Sequence, residues 1–187
     1  MLVKIINALT ILRIFLAFII FVLITENDGY LLALILFFIA GISDFFDGYF
    51  ARKYKATSEL GEILDPIADK ILILFLLVAL AINLSSYLIG FAGSLIIARE
   101  IWVSSLRDIN ARNNNQNATK VTYLAKIKTS IQLFTILIYL SALAFEKMIL
   151  VIIGDIFLII SLLVTFYTGY EYTIKTFSKD IKTNIEL

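Results

Sequence analysis

Four aspartates stand at regular spacing in an otherwise apolar sequence: Asp44, Asp47, Asp65 and Asp69. Burying four carboxylates beside lipid is costly unless cations neutralise them. The chain has neither histidine nor cysteine, which excludes imidazole catalysis, thiolate nucleophiles and sulfur-ligated metals. Any metal ligands must therefore be oxygen atoms, which Mg²⁺ and Mn²⁺ prefer. The aspartates predict a site for one or two divalent cations.

The first pair of aspartates shares a helix face with two very small residues. At about 100° per residue, all four positions fall within one arc of a helix. They are Asp44, Asp47, Gly48 and Ala51. The small residues leave a notch in which a ligand can approach the backbone, and Arg52 adds a positive fork that suits phosphate. The arc therefore predicts a site for a diphosphate held by a hard metal ion.

The second pair lies near the start of the next predicted helix. Asp65 and Asp69 are four residues apart and share a face, and Pro66 is tolerated between them if it lies in the first helical turn. A short loop joins the two helices, so the two pairs can converge at one depth. Residue spacing leaves an alternative open, in which the carboxylates form a proton or ion relay or hold helices together.

Hydrophobic residues make up 60% of the 187 residues, more than the half that is typical of a soluble domain. We predict an all-α integral membrane bundle of six transmembrane helices, because backbone groups in lipid must pair within a helix or a closed barrel. The predicted spans are roughly 5–25, 30–53, 64–84, 87–108, 126–146 and 148–171. They form one membrane domain, residues 1–172, which is followed by a short polar tail at 173–187.

Lysine and arginine residues gather on one side of the predicted membrane domain. Those at the ends of spans on this side are Lys4, Arg52, Lys53, Lys55, Arg107, Arg112, Lys120, Lys126, Lys128, Lys175, Lys179 and Lys182. On the opposite side we find only Lys147. Because cytoplasmic loops carry the excess of positive residues, both termini are predicted to be cytoplasmic, which six spans satisfy.

The acidic and small residues together resemble the signature of the CDP-alcohol phosphotransferases. The match runs without a gap through Asp44, Asp47, Gly48, Ala51, Arg52, Gly61, Asp65 and Asp69. The resemblance implies that Asp44, Asp47 and Asp65 are metal ligands, and that Asp69 lies at the metal site and acts as the general base. It implies two Mg²⁺ or Mn²⁺ ions per site. The residues that would shape the CDP site are Gly48, Ala51, Arg52 and Gly61.

Segments outside this core indicate the acceptor alcohol. Residues 7–13, 64–70, 98–100 with Arg107, and 125–129 look like those of the bacterial phosphatidylglycerophosphate synthases of this family. That likeness implies transfer of a phosphatidyl group from CDP-diacylglycerol to sn-glycerol 3-phosphate. It also implies a homodimer in the bacterial inner membrane, with its active site facing the cytoplasm and no nucleic-acid partner.

Basic residues of the later spans are predicted to bind the phosphate of the acceptor. Arg99 and Arg107 are eight residues apart and lie near one helix face. Lys126 and Lys128 begin the next span on the same side of the membrane. Together they form a predicted cationic pocket for a dianionic phosphate. Two alternatives stay open: these residues are only positive-inside anchors, or Arg99 pairs with Glu100 to brace helices.

A polar stripe marks the first span. It consists of Asn7, Thr10 and Arg13, which we expect to face the active-site cavity, with Asn7 and Thr10 at the CDP site.

Two further charged residues have more than one interpretation. Lys70, next to Asp69, either balances carboxylate charge or extends to the membrane interface. Asp155, in the last span, either hydrogen-bonds to a neighbouring helix or lies at a subunit contact.

Two rival functions remain on the sequence alone. A sister enzyme would use another acceptor, such as serine or inositol phosphate; serine carries no phosphate, and inositol phosphate is excluded only by the resemblance. A cation transporter would use the aspartates as a relay and would need polar groups that continue toward the outer face, where we find mainly Asp155.

Overall fold

The part of the chain that the structure describes consists of six α-helices and contains no strand. The computed structural model describes residues 2–27, 29–54, 59–113 and 123–183, with side chains except at 2–6, 45, 47–52, 54, 59–60, 62–63 and 179–183. The helices are α1 (Leu2–Thr25), α2 (Tyr30–Tyr54), α3 (Glu59–Asn83), α4 (Tyr87–Arg112), α5 (Tyr123–Ala144) and α6 (Met148–Thr183). The predicted all-α class is confirmed.

Several of these helices suit a membrane. Within the described residues, four helical stretches are long and apolar enough to cross one: Asn7–Thr25, Tyr87–Arg112, Tyr123–Ala144 and Met148–Ser178. The apolar part of α2, Tyr30–Asp44, is shorter. Large apolar side chains also cover the outside of the bundle, with Phe15, Phe91 and Leu163 more than 60% exposed. A helix that is apolar on its outer face as well as in the core fits a lipid environment.

The six helices form a closed ring. α1 packs against α2 and α3, α3 against α4, α4 against α6, α6 against α5, and α5 returns to α2. α3 also contacts α5 across the ring. The core between them is apolar and includes Ile20, Leu76, Ile96, Ile136 and Leu140, all buried. This arrangement surrounds α3 with partners and places its N-terminal half, which carries Asp65 and Asp69, beside α1.

Short turns close the bundle at the end remote from the predicted site. Asn27, Ser85 and Glu146 each adopt a positive φ in the turns that follow α1, α3 and α5. The side-chain amide of Asn83 donates to the carbonyl of Ile24 at 2.8 Å and to Oδ1 of Asn27 at 2.5 Å. These bonds tie the end of α3 to the end of α1. The predicted site residues lie toward the opposite ends of α1 to α5.

The third helix begins earlier than predicted. α3 starts at Glu59 rather than near residue 64, so Pro66 lies inside the helix and not in its first turn. Proline has no amide hydrogen, and the helix therefore loses one backbone hydrogen bond at this position. The helix nevertheless continues to Asn83, and Asp65 and Asp69 keep the four-residue spacing that aligns them.

The last helix is longer than predicted. α6 continues to Thr183, so the predicted boundary at residue 172 falls inside a helix of 36 residues. Its C-terminal part contacts α4: Thr173 Oγ1 accepts a hydrogen bond from Trp102 Nε1 at 2.9 Å, and Thr176 Oγ1 accepts one from Asn110 Nδ2 at 2.8 Å. Residues 173–183 of the predicted polar tail are therefore helical, and Thr173 and Thr176 contact α4. Thr173 and Thr176 accept hydrogen bonds from side chains of α4. The pattern of apolar residues does not reveal these contacts.

Candidate active site

Arg13 of α1 brings two of the four aspartates together. Its side chain is 1% exposed, and its Nη1 contacts Oδ1 of Asp44 at 2.8 Å and Oδ1 of Asp69 at 3.0 Å. α1 lies between α2 and α3, so one guanidinium reaches a carboxylate on each neighbour. Because both carboxylates contact the same nitrogen, their oxygens lie close to each other. Sequence analysis assigned Arg13 to the cavity but did not predict this bridge.

Thr10 holds the third described aspartate. It lies one turn before Arg13 on the same face of α1, is fully buried, and its hydroxyl donates to Oδ1 of Asp65 at 2.7 Å. Asn7 lies one turn closer to the N-terminus of α1. Thr10 and Arg13 of the polar stripe therefore contact the aspartates, whereas contact of Asn7 and Thr10 with CDP stays a prediction.

The remaining residues of the predicted signature are described only in part. The side chains at four positions of α2 lie outside the described residues: Asp47, Gly48, Ala51 and Arg52. The α2 backbone is helical through all four, as the face-sharing argument requires. Gly61 is buried near the start of α3.

Asp44 and Asp69 are well placed to share a cation. Their side chains are 50% and 41% exposed, so carboxylate surface remains available beyond the contact with Arg13. Among the described side chains, no group of three or more acidic residues is arranged as a metal site, and the side chain of the fourth predicted ligand, Asp47, is not among them. The donor set consists of carboxylate oxygens, which suits Mg²⁺ or Mn²⁺.

A cavity of about 580 Å³ opens between α3, α4, α5 and α6. We call it the cationic cavity because its lining includes five basic residues and two acidic ones. The charged residues are Asp69, Lys70, Arg99, Glu100, Arg107, Lys126 and Lys128. All four residues predicted to bind the acceptor phosphate thus lie in one cavity with the predicted general base.

The four predicted phosphate ligands are not equivalent. Glu100 Oε1 contacts Arg99 Nη1 at 3.0 Å and also contacts Lys128 Nζ directly, and Arg99 and Lys128 are both buried. Arg107 and Lys126 are exposed, and neither pairs with a carboxylate among the described residues. Arg99 therefore pairs with Glu100 within α4, the contact of Glu100 that joins two helices is the one with Lys128 on α5, and Arg99 lines the cavity as well.

Lys70 extends from α3 to the neighbouring helix α4. Its Nζ donates to Oγ of Ser104 on α4 at 2.7 Å, so it spans from α3 to α4 at the wall of the cationic cavity. Nothing in the sequence indicates that Ser104, on a neighbouring helix, accepts this hydrogen bond.

Sequence analysis also missed the contribution of α6. Thr168 Oγ1 accepts a hydrogen bond from Arg99 Nη2 at 2.6 Å. The buried ring of Tyr172 lies under two guanidinium groups, with its centre 5.9 Å from Cζ of Arg99 and 6.0 Å from Cζ of Arg107. A signal was available, because Thr165, Thr168, Tyr172 and Thr176 form a polar stripe at helical spacing.

A second cavity, of about 450 Å³, lies on the other side of Asp69. We call it the apolar cavity, because its lining is apolar apart from Arg13, Asp44 and Asp69. The apolar lining residues are Phe37, Phe38, Ala40, Gly41, Ile42, Phe46, Leu72 and Leu133. Asp69 lines both cavities and therefore lies where a cationic space and an apolar space meet.

Asp155 belongs to a different part of the molecule. Its Oδ1 accepts a hydrogen bond from the hydroxyl of Tyr139 on α5 at 2.7 Å. Of the two interpretations offered for it, the structure therefore shows the hydrogen bond to a neighbouring helix.

Known proteins resemble this chain over most of its length. The family model of CDP-alcohol phosphatidyltransferases matches residues 3–167. A protein of Blochmanniella floridana is 39% identical over 76% of this chain and 73% of its own length. One of Wigglesworthia glossinidia brevipalpis is 36% identical over 82% of each chain, and one of Rickettsia typhi is 37% identical over 89% of this chain and 93% of its own. Each is named CDP-diacylglycerol–glycerol-3-phosphate 3-phosphatidyltransferase.

The family match at residues 3–167 includes the four aspartates, the polar stripe of α1 and the charged residues of the cationic cavity. The chain belongs to the CDP-alcohol phosphatidyltransferase family.

Proposed function

We propose that the protein transfers the phosphatidyl group of CDP-diacylglycerol to sn-glycerol 3-phosphate, giving phosphatidylglycerophosphate and CMP. The observation that carries this proposal is the position of Asp69 between the cationic cavity and the apolar cavity. The reaction joins a water-soluble dianion to a lipid, so it needs one space of each kind at the reacting atoms. The names of the relatives supply the identity of the two substrates.

The acceptor is activated by Asp69. Its carboxylate accepts the proton of the acceptor hydroxyl while the hydroxyl oxygen attacks the β-phosphorus, which carries the diacylglycerol. A new phosphorus–oxygen bond forms, and the bond from the β-phosphorus to the bridging oxygen breaks. CMP leaves with the bridging oxygen. The displacement is direct and forms no covalent intermediate with the enzyme.

The aspartates would hold two Mg²⁺ or Mn²⁺ ions. The proposed ligands are Asp44, Asp47, Asp65 and Asp69. Bound there, the ions supply Lewis-acid neutralisation of the diphosphate and of the leaving group. The contact of Asp44 and Asp69 with a single Arg13 nitrogen supports this assignment, because it brings carboxylates from two helices within reach of one cation. Thr10 orients Asp65.

The CDP moiety is assigned to the face of α2 that follows Asp44. The proposed contacts are Asn7, Thr10, Gly48, Ala51, Arg52 and Gly61. The apolar cavity begins at Asp44 and Asp69, so an acyl chain of the donor can extend into it from the diphosphate.

The phosphate of the acceptor is assigned to the cationic cavity. Glu100 takes up part of the charge of Arg99 and Lys128, which leaves Arg107 and Lys126 as the exposed cations for a dianion. Arg99 and Lys128 form the buried floor of the site. An acceptor without a phosphate would leave these cations uncompensated.

The whole domain, residues 1–172 with the rest of α6, is proposed to cross the bacterial inner membrane six times, with both termini and the active site on the cytoplasmic side. Basic residues at the site end of the helices support this orientation. We also propose a homodimer, as the family resemblance implies.

An acceptor panel tests the function. The full chain, reconstituted in lipid nanodiscs with CDP-diacylglycerol and Mg²⁺, is offered glycerol 3-phosphate, inositol phosphate or serine, and CMP release is measured. We expect release with glycerol 3-phosphate and little with the others. Asp69→Asn serves as the inactive control, because an amide cannot accept the proton. Strong release with serine alone would overturn the assignment of the acceptor.

A further inference from the structure

Arg99 is held in place at the wall of the cationic cavity by one side chain of its own helix, α4, and by one of α6. It lies on α4, is 7% exposed, and uses two different nitrogens for its contacts. Nη1 donates to Glu100 Oε1 at 3.0 Å, and Nη2 donates to Thr168 Oγ1 on α6 at 2.6 Å. A guanidinium is planar, so fixing both terminal nitrogens fixes the plane that it presents to a phosphate.

The hydroxyl of Thr168 is oriented to receive Arg99. Its single hydrogen is donated to the backbone carbonyl of Val164 at 2.9 Å or of Thr165 at 3.0 Å, within the same helix. A hydroxyl that donates into its own helix presents lone pairs outward, where a cationic donor can use them. Thr168 is fully buried, so water does not replace this acceptor.

Gly169 provides the space that the arginine stem occupies. A Cβ atom at this position would lie 3.1 Å from Cγ and 3.2 Å from Nε of Arg99, which is closer than an ordinary van der Waals contact. Glycine is less favourable than alanine inside a helix, and Gly169 is not among the residues with a positive φ. A Cβ at residue 169 would therefore require the stem of Arg99 to shift by a few tenths of an ångström.

We propose that Thr168 and Gly169 form a seat on α6 that positions the Arg99 guanidinium for the phosphate of the acceptor. The inference rests on the proposed function, because it assumes that the cationic cavity receives that phosphate. Thr168 and Gly169 are positioning residues that act through Arg99. Through these two residues, α6 contributes to the affinity of the protein for the acceptor.

The test uses steady-state kinetics of the full chain in nanodiscs, with glycerol 3-phosphate and CDP-diacylglycerol varied separately. Thr168→Val keeps the shape of the side chain but leaves Arg99 Nη2 without its acceptor. We expect the KM for glycerol 3-phosphate to rise about tenfold, which corresponds to one lost hydrogen bond to a charged group. The KM for the donor and kcat should stay within about twofold, and Thr168→Ser should restore the acceptor KM.

Gly169→Ala tests the second half of the seat. We expect it to raise the acceptor KM as well, because the added Cβ displaces the arginine stem. Two matched controls separate this effect from general loosening of the bundle. Thr173→Val removes a hydrogen bond between the same two helices away from the cavity, and Gly90→Ala adds a Cβ that meets only Ala81, at 3.7 Å. Both should leave the acceptor KM unchanged.

A double-mutant cycle with Arg99→Ala distinguishes the possible failures. In the Arg99→Ala background, Thr168→Val and Gly169→Ala should have no further effect on the acceptor KM. If Arg99→Ala and Arg107→Ala both leave the acceptor KM unchanged, the phosphate pocket is wrong and the seat fails with it; if only Arg107→Ala raises the acceptor KM, the seat is wrong while the pocket stands. If Arg99→Ala raises it but Thr168→Val does not, or if the effect of Thr168→Val persists without Arg99, the seat is wrong while the proposed function stands.

Discussion

At the scale of single residues, the site depends on a few polar contacts between helices rather than on a run of motif residues. Thr10 and Arg13 hold three aspartates from α2 and α3, and Glu100 joins Arg99 to Lys128. Each contact satisfies a polar group that would be costly to bury unpaired. Residues of α1 and α6, which lie outside the aspartate signature, therefore hold the charged side chains of the site in position.

Arg13 gives a prediction about metal dependence. In Arg13→Ala, Asp44 and Asp69 lose the cation that they share. Removing one partner of a buried ion pair costs about 3–5 kcal/mol, and the cost is smaller here because both carboxylates are about half exposed. We expect a lower Tm in the presence of EDTA, and a larger rise in Tm on adding Mg²⁺ than in the unaltered protein, because the metal then replaces the missing charge.

Thermal unfolding in detergent, followed with and without Mg²⁺, measures both quantities. Arg107→Ala is the control, since Arg107 is exposed and does not contact the aspartates that Arg13 bridges. Equal Mg²⁺-dependent shifts of Tm in Arg13→Ala and in the unaltered protein would contradict the view that Arg13 and the metal neutralise the same carboxylates.

The sequence predicts residues of this site unevenly. Asp44 and Asp69 could be expected to converge because their spacing and their short connecting loop put them at one depth. The arginine that joins them could be assigned to a face of its helix but not to a partner, since spacing within one helix does not tell which neighbour that face meets. The polar stripe of α6 marks Thr168 but does not indicate its contact with Arg99, and Gly169 has no side chain that could mark it.

At the scale of whole elements, the two ends of the bundle differ in construction. Tight turns with positive φ at Asn27, Ser85 and Glu146 close the remote end, and side-chain hydrogen bonds between α4 and α6 hold the site end. Helix existence was predictable from long apolar runs, but the end of α6 was not. Its last turns are polar in sequence and are stabilised by contacts with α4, which a single-helix pattern does not contain.

The contact of α6 with α4 predicts different effects for two truncations. Ending the chain after residue 172 removes Thr173 and Thr176 and leaves the buried side-chain amide of Asn110 without its partner on α6. Asn110 keeps its hydrogen bond to the backbone carbonyl of Leu106, so the loss is that of one hydrogen bond, about 0.5–1.5 kcal/mol, and the C-terminal part of α4, which carries Arg107, loses a contact with α6. Ending the chain after residue 183 retains all these contacts.

We therefore expect the shorter chain to have a lower Tm and a higher KM for glycerol 3-phosphate, while the chain ending at 183 resembles the full chain. Thermal unfolding and CMP-release kinetics measure the two effects. Identical behaviour of both truncated chains would mean that residues 173–183 act as the solvated tail that the composition suggested.

At the scale of the whole molecule, the number of membrane crossings depends on whether α2 and α3 cross the bilayer together with the other four helices. Within the described residues, four helical stretches are long and apolar enough to span a bilayer, and none of the four lies in α2 or α3. The sequence nevertheless predicts spans at residues 30–53 and 64–84, which correspond to these two helices.

Four and six crossings make different predictions for Lys53 at the end of α2. Either number places both termini on one side of the membrane, so the termini do not distinguish them. With six crossings, Lys53 lies on the cytoplasmic side; if α2 and α3 do not cross, Lys53 lies on the same outer side as Glu26 and Tyr87. The chain contains no cysteine, so single cysteines can be introduced without altering a background residue.

We expect Glu26→Cys, Tyr87→Cys and Lys147→Cys to react with a membrane-impermeant maleimide in intact cells. Lys53→Cys and Arg112→Cys should react only after the membrane is permeabilised. All five positions are exposed in the structure, so a lack of reaction reports the side of the membrane rather than burial within the protein. Labelling of Lys53→Cys in intact cells, together with protection of Arg112→Cys, would show that the chain crosses the membrane four times rather than six. It would then put the aspartates of α2 and α3 on the opposite side of the membrane from the cytoplasmic pool of glycerol 3-phosphate, which is incompatible with the proposed reaction.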